Sequence, residues 1–157
     1  MDEPISIRPY GPGDADATIE IFLRAIREVS LKDYSRAQIE AWAQVEDRGL
    51  WAERRISRPA WIAEIVGRPA GFSDLTSDGC LDMMFVHPEL QGLGIASRLL
   101  SRVEEEALKL GFRRIHTEAS RTARPFFERR GFRVITKQIV EKRGQSLENF
   151  LMEKLYG

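Results

Sequence analysis

The segment from Met83 to Ser97 carries the clearest signal for chemistry in this chain. A strand-like run ends just before Pro88, and Gly92 and Gly94 stand where a long helix begins. Backbone N–H groups at the start of a helix have no partner within it, and together with the helix dipole they attract anions. The arrangement predicts a phosphate-binding turn, with a purely structural tight turn as the alternative. It is not G-x-G-x-x-G and lacks the Lys-Ser/Thr pair of a P-loop, so it does not favour NAD or ATP.

The elements that must position this turn begin with a mostly helical N-terminal third. After a short strand, Asp14 is a good N-cap for a helix from about Ala15 to Val29. A second helix is predicted to start after the capping-box pattern Ser35-Arg36-Ala37-Gln38. A third, charged and mostly solvated, is predicted from Arg48 to Arg58.

The rest of the chain predicts a sheet with flanking helices. Turn signals separate strand-like runs at residues 60–66, 70–76 and 80–86, which is typical of an antiparallel meander. A helix from Ile95 to Leu110 and a strand from Arg113 to Ala119 follow, so the strands ending at Val86 and Ala119 should lie parallel in one sheet. A short helix and two strands complete the chain, at residues 125–130, 132–140 and 147–152. We therefore expect one α/β domain over residues 1–157, with a mixed sheet.

Charge and composition exclude several classes of function. The 157 residues include 24 Lys and Arg against 24 Asp and Glu, so there is no basic surplus for nucleic acid or an anionic membrane. One cysteine and two histidines leave little material for a disulfide or a metal site, and we expect no metal. A reducing cytoplasm is the expected compartment. Any anion binding must come from the local arrangement of residues.

Two motifs stand out by their spacing, one in the predicted turn and one at the later short helix. Gln91-x-x-Gly94-x-Ala96 follows the strand that ends before Pro88, and Ala123 to Phe132 forms a second block that contains aromatic residues and a glycine. The first motif resembles the Q/R-x-x-G-x-G/A signature, and the second the A-x-x-x-Y-x-x-x-G-F segment, of the GNAT superfamily of acetyl-CoA-dependent acyltransferases. The predicted elements run in that family's order over practically the whole chain. The resemblance implies the GNAT fold, in which a mostly antiparallel sheet contains one splayed parallel strand pair.

The resemblance implies that acetyl-CoA binds where the parallel strands separate. Backbone groups of Met84, Phe85 and Val86 would pair with the pantetheine arm, and the Val86 amide would lie near the acetyl carbonyl. The pyrophosphate would lie on the turn formed by Gln91, Gly92, Leu93, Gly94, Ile95, Ala96 and Ser97. Candidates for the 3′-phosphate, with a solvated helix face as the alternative, are Arg124, Arg129 and Arg130.

Two positions depart from the family's usual pattern. Phe127 stands where a tyrosine reprotonates the departing thiolate, and Ser120 replaces an asparagine that contacts the cofactor. Because phenylalanine cannot donate a proton, another residue or water must do so, or no reaction is catalysed. Tyr34 lies in the region that forms the acceptor-site wall in this family and is the candidate acid. Packing of its ring beside Trp42 is the alternative.

Two carboxylates are candidates for the base that an amine needs before it attacks a thioester. Asp82 shares side-chain parity with Met84 and Val86 on the predicted strand. Glu118 lies at the end of the parallel strand and points at the same separation. Each is a candidate base or ammonium anchor, with a solvated position as the alternative.

The sequence as a whole predicts an N-acetyltransferase that passes the acetyl group directly to an amine. The neutral charge favours a small-molecule amine over a nucleic-acid-bound protein as acceptor. An acyl-CoA-binding sensor or partner-binding module without turnover is one alternative, and a protein or peptide N-acetyltransferase is another. A homodimer is compatible with the sequence.

Overall fold

Residues 4–157, which the computed structural model describes, form eight β-strands and five α-helices. The strands are β1 (Ile5–Pro9), β2 (Ala60–Ile65), β3 (Arg68–Asp74), β4 (Cys80–Leu81), β5 (Met84–Val86), β6 (Arg114–Ser120), β7 (Arg133–Lys142) and β8 (Gln145–Leu155). The helices are α1 (Ala15–Glu28), α2 (Arg36–Trp42), α3 (Arg48–Ile56), α4 (Ile95–Lys109) and α5 (Arg124–Arg129). Each predicted helix is present, with small shifts at its ends.

The strands form two four-stranded sheets. The first has the order β1-β2-β3-β5 and is antiparallel. The second has the order β4-β6-β8-β7. Its β4 and β6 run parallel, with Cys80 opposite His116 and Leu81 opposite Thr117, and its other pairs are antiparallel. The mixed, mostly antiparallel arrangement confirms the predicted fold class.

The single strand predicted over residues 80–86 is wrong, because the chain breaks at Asp82 and Met83. The Met83 N–H donates to Asp74 Oδ1 at 2.8 Å, and the Ser73 hydroxyl donates to the Met83 carbonyl at 2.7 Å. Both of these β3 side chains are fully buried. The Met83 backbone therefore bonds to β3 instead of β6. Parallel pairing stops at β4, and β5 diverges from β6 in a separate sheet.

Helices cover both faces of the sheets. On one side α1 buries Ile19, Phe22 and Ile26 at helical spacing. On the other side α4 buries Leu99 and Val103. Burial of each such side chain contributes about 1.5–3 kcal/mol, so the two helices are firmly held against the sheets. Within residues 4–157, no helix combines the length and apolarity needed to cross a bilayer.

The two predicted helix caps differ in their side-chain hydrogen bonds. At α2 the capping box is confirmed: Gln38 N–H donates to Ser35 Oγ at 3.1 Å, and Ser35 N–H to Gln38 Oε1 at 2.8 Å. Asp14 is the N-cap residue of α1, as predicted, but its side chain makes no capping hydrogen bond to that helix. Its carboxylate forms two 2.8 Å bonds with Arg8 instead, and this guanidinium lowers the pKa of Asp14. The same carboxylate accepts the Gly11 N–H at 2.7 Å, so it bonds to the segment before α1.

Candidate functional site

The predicted phosphate-binding turn lies at the N-terminus of α4. Gly92 and Gly94 have φ angles of +78° and +85°, a region that favours glycine, and open space surrounds the position of a Cβ at each. The first turn of α4 contains no acidic residue that would neutralise the helix dipole. Gln91 ties the turn to β5, because its Nε2 donates to the Val86 carbonyl at 3.0 Å. The geometry is suited to an anion approaching the backbone.

The other members of the turn differ in how they face solvent. Leu93 is exposed at its tip, while the side chain of Ile95 is buried in the core beneath α4. Ile95 can therefore offer a ligand only its backbone. Ala96 and Ser97 are half-buried on the first turn of the helix.

A narrow cleft of about 170 Å³ runs between β5 and α5. We call it the β5–α5 cleft; its lining includes Met84, Phe85, Val86, Gln91, Ala96, Ser120, Ala123, Phe126 and Phe127. The His87 N–H donates to the Ala70 carbonyl at 2.8 Å, so the alternation of an antiparallel ladder turns the Val86 N–H away from β3. Because β5 is the edge of its sheet, an extended ligand could pair with its outer side.

The structure ranks two of the candidate phosphate-binding arginines. Arg124 forms an ion pair with Glu128 at 3.3 Å and lies over the Phe150 ring. Arg130 reaches the first turn of α4, where its Nε lies 3.1 Å from Ser97 Oγ. Arg130 forms no ion pair among residues 4–157 and its guanidinium reaches the turn, so it is the better placed of the two for a phosphate.

A second cavity of about 300 Å³ lies beside the cleft. We call it the β8 cavity; it is lined by Phe22, Tyr34, Trp42, Cys80, Asp82, Met83, Phe85, Glu118, Ser120, Val140, Lys142, Leu147, Glu148 and Asn149. The three predicted catalytic candidates, Asp82, Glu118 and Tyr34, are thus brought together. Phe85 and Ser120 line both the cavity and the cleft, so the two spaces adjoin there.

The two candidate carboxylates have different surroundings. Asp82 lies in the break after β4, where its Oδ2 is 3.1 Å from Arg58 Nη1 and 4.0 Å from Arg55 Nη2. The strand parity predicted for Asp82 is lost there. Glu118 stays in β6 and is exposed, with no ion pair or side-chain hydrogen bond to any residue in the range 4–157. Of the two, Glu118 is the free carboxylate.

Tyr34 is buried, with both sides of its hydroxyl engaged. The O–H donates to the Glu148 carbonyl at 2.6 Å, and the Arg121 N–H donates to the Tyr34 oxygen at 2.9 Å. Burial raises its pKa. The ring also packs edge-on against Trp42, with centroids 5.6 Å apart. The hydroxyl therefore joins three segments of the wall of the β8 cavity.

Phe127 lines the β5–α5 cleft. It is 3% exposed and packs against Phe126 and Phe132, at centroid distances of 5.2 and 5.1 Å. The ring brings no proton donor to the cleft. Ser120, at the junction, accepts the Ala123 N–H on its Oγ at 3.1 Å.

A buried ion pair behind the β8 cavity was missed by the sequence reasoning. Helix α3 is mostly solvated, as predicted, but two of its side chains, Trp51 and Arg55, are buried. Arg55 Nε lies 3.3 Å from Asp74 Oδ2, and its guanidinium packs over the Trp51 ring. Burial raises the pKa of Asp74 to about 6 and lowers that of Arg55. The i, i+4 spacing of Trp51 and Arg55 was the available signal, since it places both on one helix face.

Comparisons with known proteins agree with this geometry. The profile of the acetyltransferase (GNAT) domain matches residues 30–154. The uncharacterized N-acetyltransferase YafP of Escherichia coli K12 is 40% identical over 148 residues, 94% of each chain. A GCN5-related N-acetyltransferase structure from Rhodopseudomonas palustris, also described as a class-II aminotransferase, is 33% identical with a TM-score of 0.94 over 99% of this chain and 98% of that one. The PaiA N-acetyltransferase of Thermoplasma acidophilum, solved with coenzyme A, has the same fold at a TM-score of 0.76 and 23% identity, over 98% and 99% of the two chains. The chain belongs to the GNAT family of N-acetyltransferases.

Proposed function

We propose that this acetyltransferase moves the acetyl group of acetyl-CoA directly to the amine of a small molecule. The observation that carries the proposal is the junction at Phe85 and Ser120, where the β5–α5 cleft adjoins the β8 cavity. Acetyl-CoA, when bound, supplies the acetyl group as an activated thioester. An amine in the cavity would approach that group from the side opposite the coenzyme, without a covalent intermediate on the protein.

Acetyl-CoA is assigned to the turn before α4 and to the β5–α5 cleft. The open space at Gly92 and Gly94 lets a diphosphate reach the N–H groups of the first turn of α4. Arg130 holds a phosphate beside Ser97. The outward Val86 N–H donates to the acetyl carbonyl oxygen, where negative charge develops during attack.

Glu118 is the proposed base. Asp82 is disfavoured because Arg58 Nη1 donates to its Oδ2 at 3.1 Å, so that oxygen is already engaged. Glu118 takes the proton from the amine, directly or through a water, as the nitrogen attacks the thioester carbon and the carbon–sulfur bond breaks. Asp82 then contributes negative charge that favours a cationic acceptor in the cavity.

The departing sulfur needs a proton from a group other than Phe127. The Tyr34 O–H already donates a hydrogen bond to the Glu148 carbonyl, so its proton does not point to the sulfur. Ser120 already accepts the Ala123 N–H, so its own O–H is free to turn into the cleft. We assign Ser120 the relay of a proton from water to the sulfur.

The β8 cavity is closed in a way that favours a small acceptor over a peptide. The β7–β8 hairpin is tied to the helical region at both ends of α2. Gln38 Nε2 donates to the Ser146 carbonyl at 2.8 Å, and Arg143 Nη1 to the Ala41 carbonyl at 2.5 Å. A peptide that continued past the hairpin end of the cavity would meet these contacts.

The cofactor assignment is tested by a glutamate at the turn. Gly94→Glu places a carboxylate in the anion site, and we expect acetyl-CoA binding measured by calorimetry to be lost. Gly67→Glu is the matched control, because Gly67 also has a positive φ (+76°) and open space around its Cβ position. Both changes carry a similar backbone cost of about 1–2 kcal/mol. Equal affinity in the two variants would overturn the assignment.

Turnover is tested by release of CoA thiol with a panel of amines and peptides. Glu118→Gln should lower kcat/KM by about 10²–10⁴-fold and abolish the decline of kcat/KM at low pH. Asp82→Asn should retain that decline. Faster reaction with peptides than with small amines would replace the proposed acceptor class. Tight acetyl-CoA binding without turnover on any amine would favour a sensor, a role that Phe127 in place of the usual tyrosine also fits.

A further inference from the structure

Two charged side chains in the β8 cavity have no partner. Of the four charged residues that line it, Asp82 and Glu148 are paired with arginines at 3.1 and 3.3 Å. Glu118 and Lys142 make no side-chain hydrogen bond or ion pair within the described part of the chain. A free carboxylate and a free ammonium in one cavity suit a ligand that carries both signs of charge.

Further basic side chains lie on the far side of Lys142 from the β8 cavity. A further cavity of about 320 Å³ shares Lys142 with the β8 cavity; we call it the α3 cavity, because its lining includes Trp51, Arg54 and Arg55. Its two acidic residues are engaged, one in a 2.8 Å ion pair with Arg143 and the other in capping α3. Arg55 is 2% exposed, and its Nη1 has no hydrogen-bond partner among residues 4–157. This side of the β8 cavity therefore has unused donors for an anion.

The junction at Ser120 and the free ammonium of Lys142 lie at opposite ends of an apolar span. Ser120, at the junction, lies opposite Asn149 of β8, and Lys142 lies opposite Gln145. These β8 positions are four residues apart, which corresponds to about 13 Å of strand. A lysine stem covers about half of that distance. Apolar side chains line the cavity along this path, among them Trp42, Val140 and Leu147.

We infer that the acceptor is an ω-amino acid-like molecule, with its amine at the junction beside Ser120, two residues along β6 from Glu118, and an anionic group at Lys142. A short apolar spacer of about five methylenes separates the two groups. The inference deepens the proposed function and rests on it for the placement of the amine. Carboxylate and phosphonate share the required chemistry, and the panel below contains both.

The test compares acceptors that differ only at the far end: 6-aminohexanoate, 5-aminopentylphosphonate, hexylamine and 1,6-diaminohexane. In the unaltered chain, the anionic amines should exceed hexylamine in kcat/KM by about tenfold, and the diamine should be poorest. Lys142→Met should remove the difference between anionic and neutral amines. Lys142→Glu should make the diamine the best of the four. Lys109→Glu, the same charge change on an exposed end of α4, should leave the order unchanged.

Binding separates failure of this inference from failure of the proposed function. Calorimetry of 6-aminohexanoate with the complex of the chain and CoA measures the affinity of the β8 cavity without turnover. Binding that Lys142→Met weakens about tenfold supports the inference even if no amine is acetylated. No preference for the anionic amines, or a preference that survives in both Lys142 variants, overturns it while leaving the acetyl transfer intact.

Discussion

Removal of the Tyr34 hydroxyl separates a structural role from a catalytic one. The hydroxyl donates to the Glu148 carbonyl at 2.6 Å and accepts the Arg121 N–H at 2.9 Å. Each bond contributes about 0.5–1.5 kcal/mol net, so Tyr34→Phe should destabilise the fold by about 1–3 kcal/mol. At this chain length, a loss of about 2 kcal/mol lowers Tm by about 4–8 °C. Thermal and urea unfolding followed by circular dichroism measure both quantities.

The kinetic outcome distinguishes the two roles. If Ser120 and water supply the proton, kcat of Tyr34→Phe should fall less than about tenfold, whereas loss of a general acid costs about 10²–10⁴-fold. Another contact keeps the same wall in place in the variant, since Thr122 Oγ1 donates to Asp33 Oδ2 at 2.8 Å. Tyr156→Phe, which removes one 2.6 Å bond to Glu104, is the control for stability alone. An unchanged Tm together with a hundredfold loss of kcat would refute the structural reading of Tyr34.

Three other contacts have measurable consequences. Gly71→Ala should lower the free energy of unfolding by about 1–3 kcal/mol and raise KM for acetyl-CoA, since its Cβ would lie 2.9 Å from the Phe85 carbonyl in β5; urea unfolding and steady-state kinetics measure the two effects. Because burial raises the pKa of Asp74 to about 6 from an unfolded value of 3.8, the folded chain binds more protons than the unfolded chain between these values. Its contribution to stability therefore falls as pH rises from about 4 to 6, and Asp74→Asn should lack that fall in urea unfolding at several pH values. Arg130→Met should raise KM for acetyl-CoA about tenfold with little change in kcat, as initial rates will show.

Each of these has a matched comparison. Gly13→Ala adds the same methyl group where nothing lies within 4 Å, and should leave stability and KM unchanged. Arg124→Met removes an arginine engaged with Glu128, and should leave KM unchanged. A larger KM effect at Arg124 than at Arg130 would contradict the ranking of the two. A pH dependence that is identical with and without the Asp74 carboxylate would exclude it as the buried titrating group.

The parts of the site that were predictable from the sequence are local in the chain. The turn before α4 depends on Gly92 and Gly94 and on the start of the helix they precede, all within a few residues. The α2 capping box depends on Ser35 and Gln38, three positions apart. Such signals need no knowledge of what packs against them, so periodicity and spacing are enough to find them.

The features that escaped prediction depend on contacts between distant segments. The break at Met83 arises because Ser73 and Asp74, on another strand, bond to its backbone. Arg55 is buried because Asp74 offers it a carboxylate from β3. Arg124 begins α5 and Arg130 directly follows it, and only the contact across to α4 shows which of them reaches Ser97. Sequence alone gives the chemistry of these residues without their partners.

The break at Met83 also accounts for the different surroundings of the two carboxylates, Asp82 and Glu118. By bonding to β3, the Met83 backbone separates β5 from β6 and opens the β5–α5 cleft. The same break takes Asp82 out of the regular strand and sets it beside Arg58, whose Nη1 lies 3.1 Å from Asp82 Oδ2. Glu118, on the intact β6, keeps its strand position and has no such partner. A regular strand over residues 80–86 would have closed the cleft against β6, so in the proposed mechanism the break at Met83 both opens the coenzyme site and leaves Glu118, on the opposite strand, as the base.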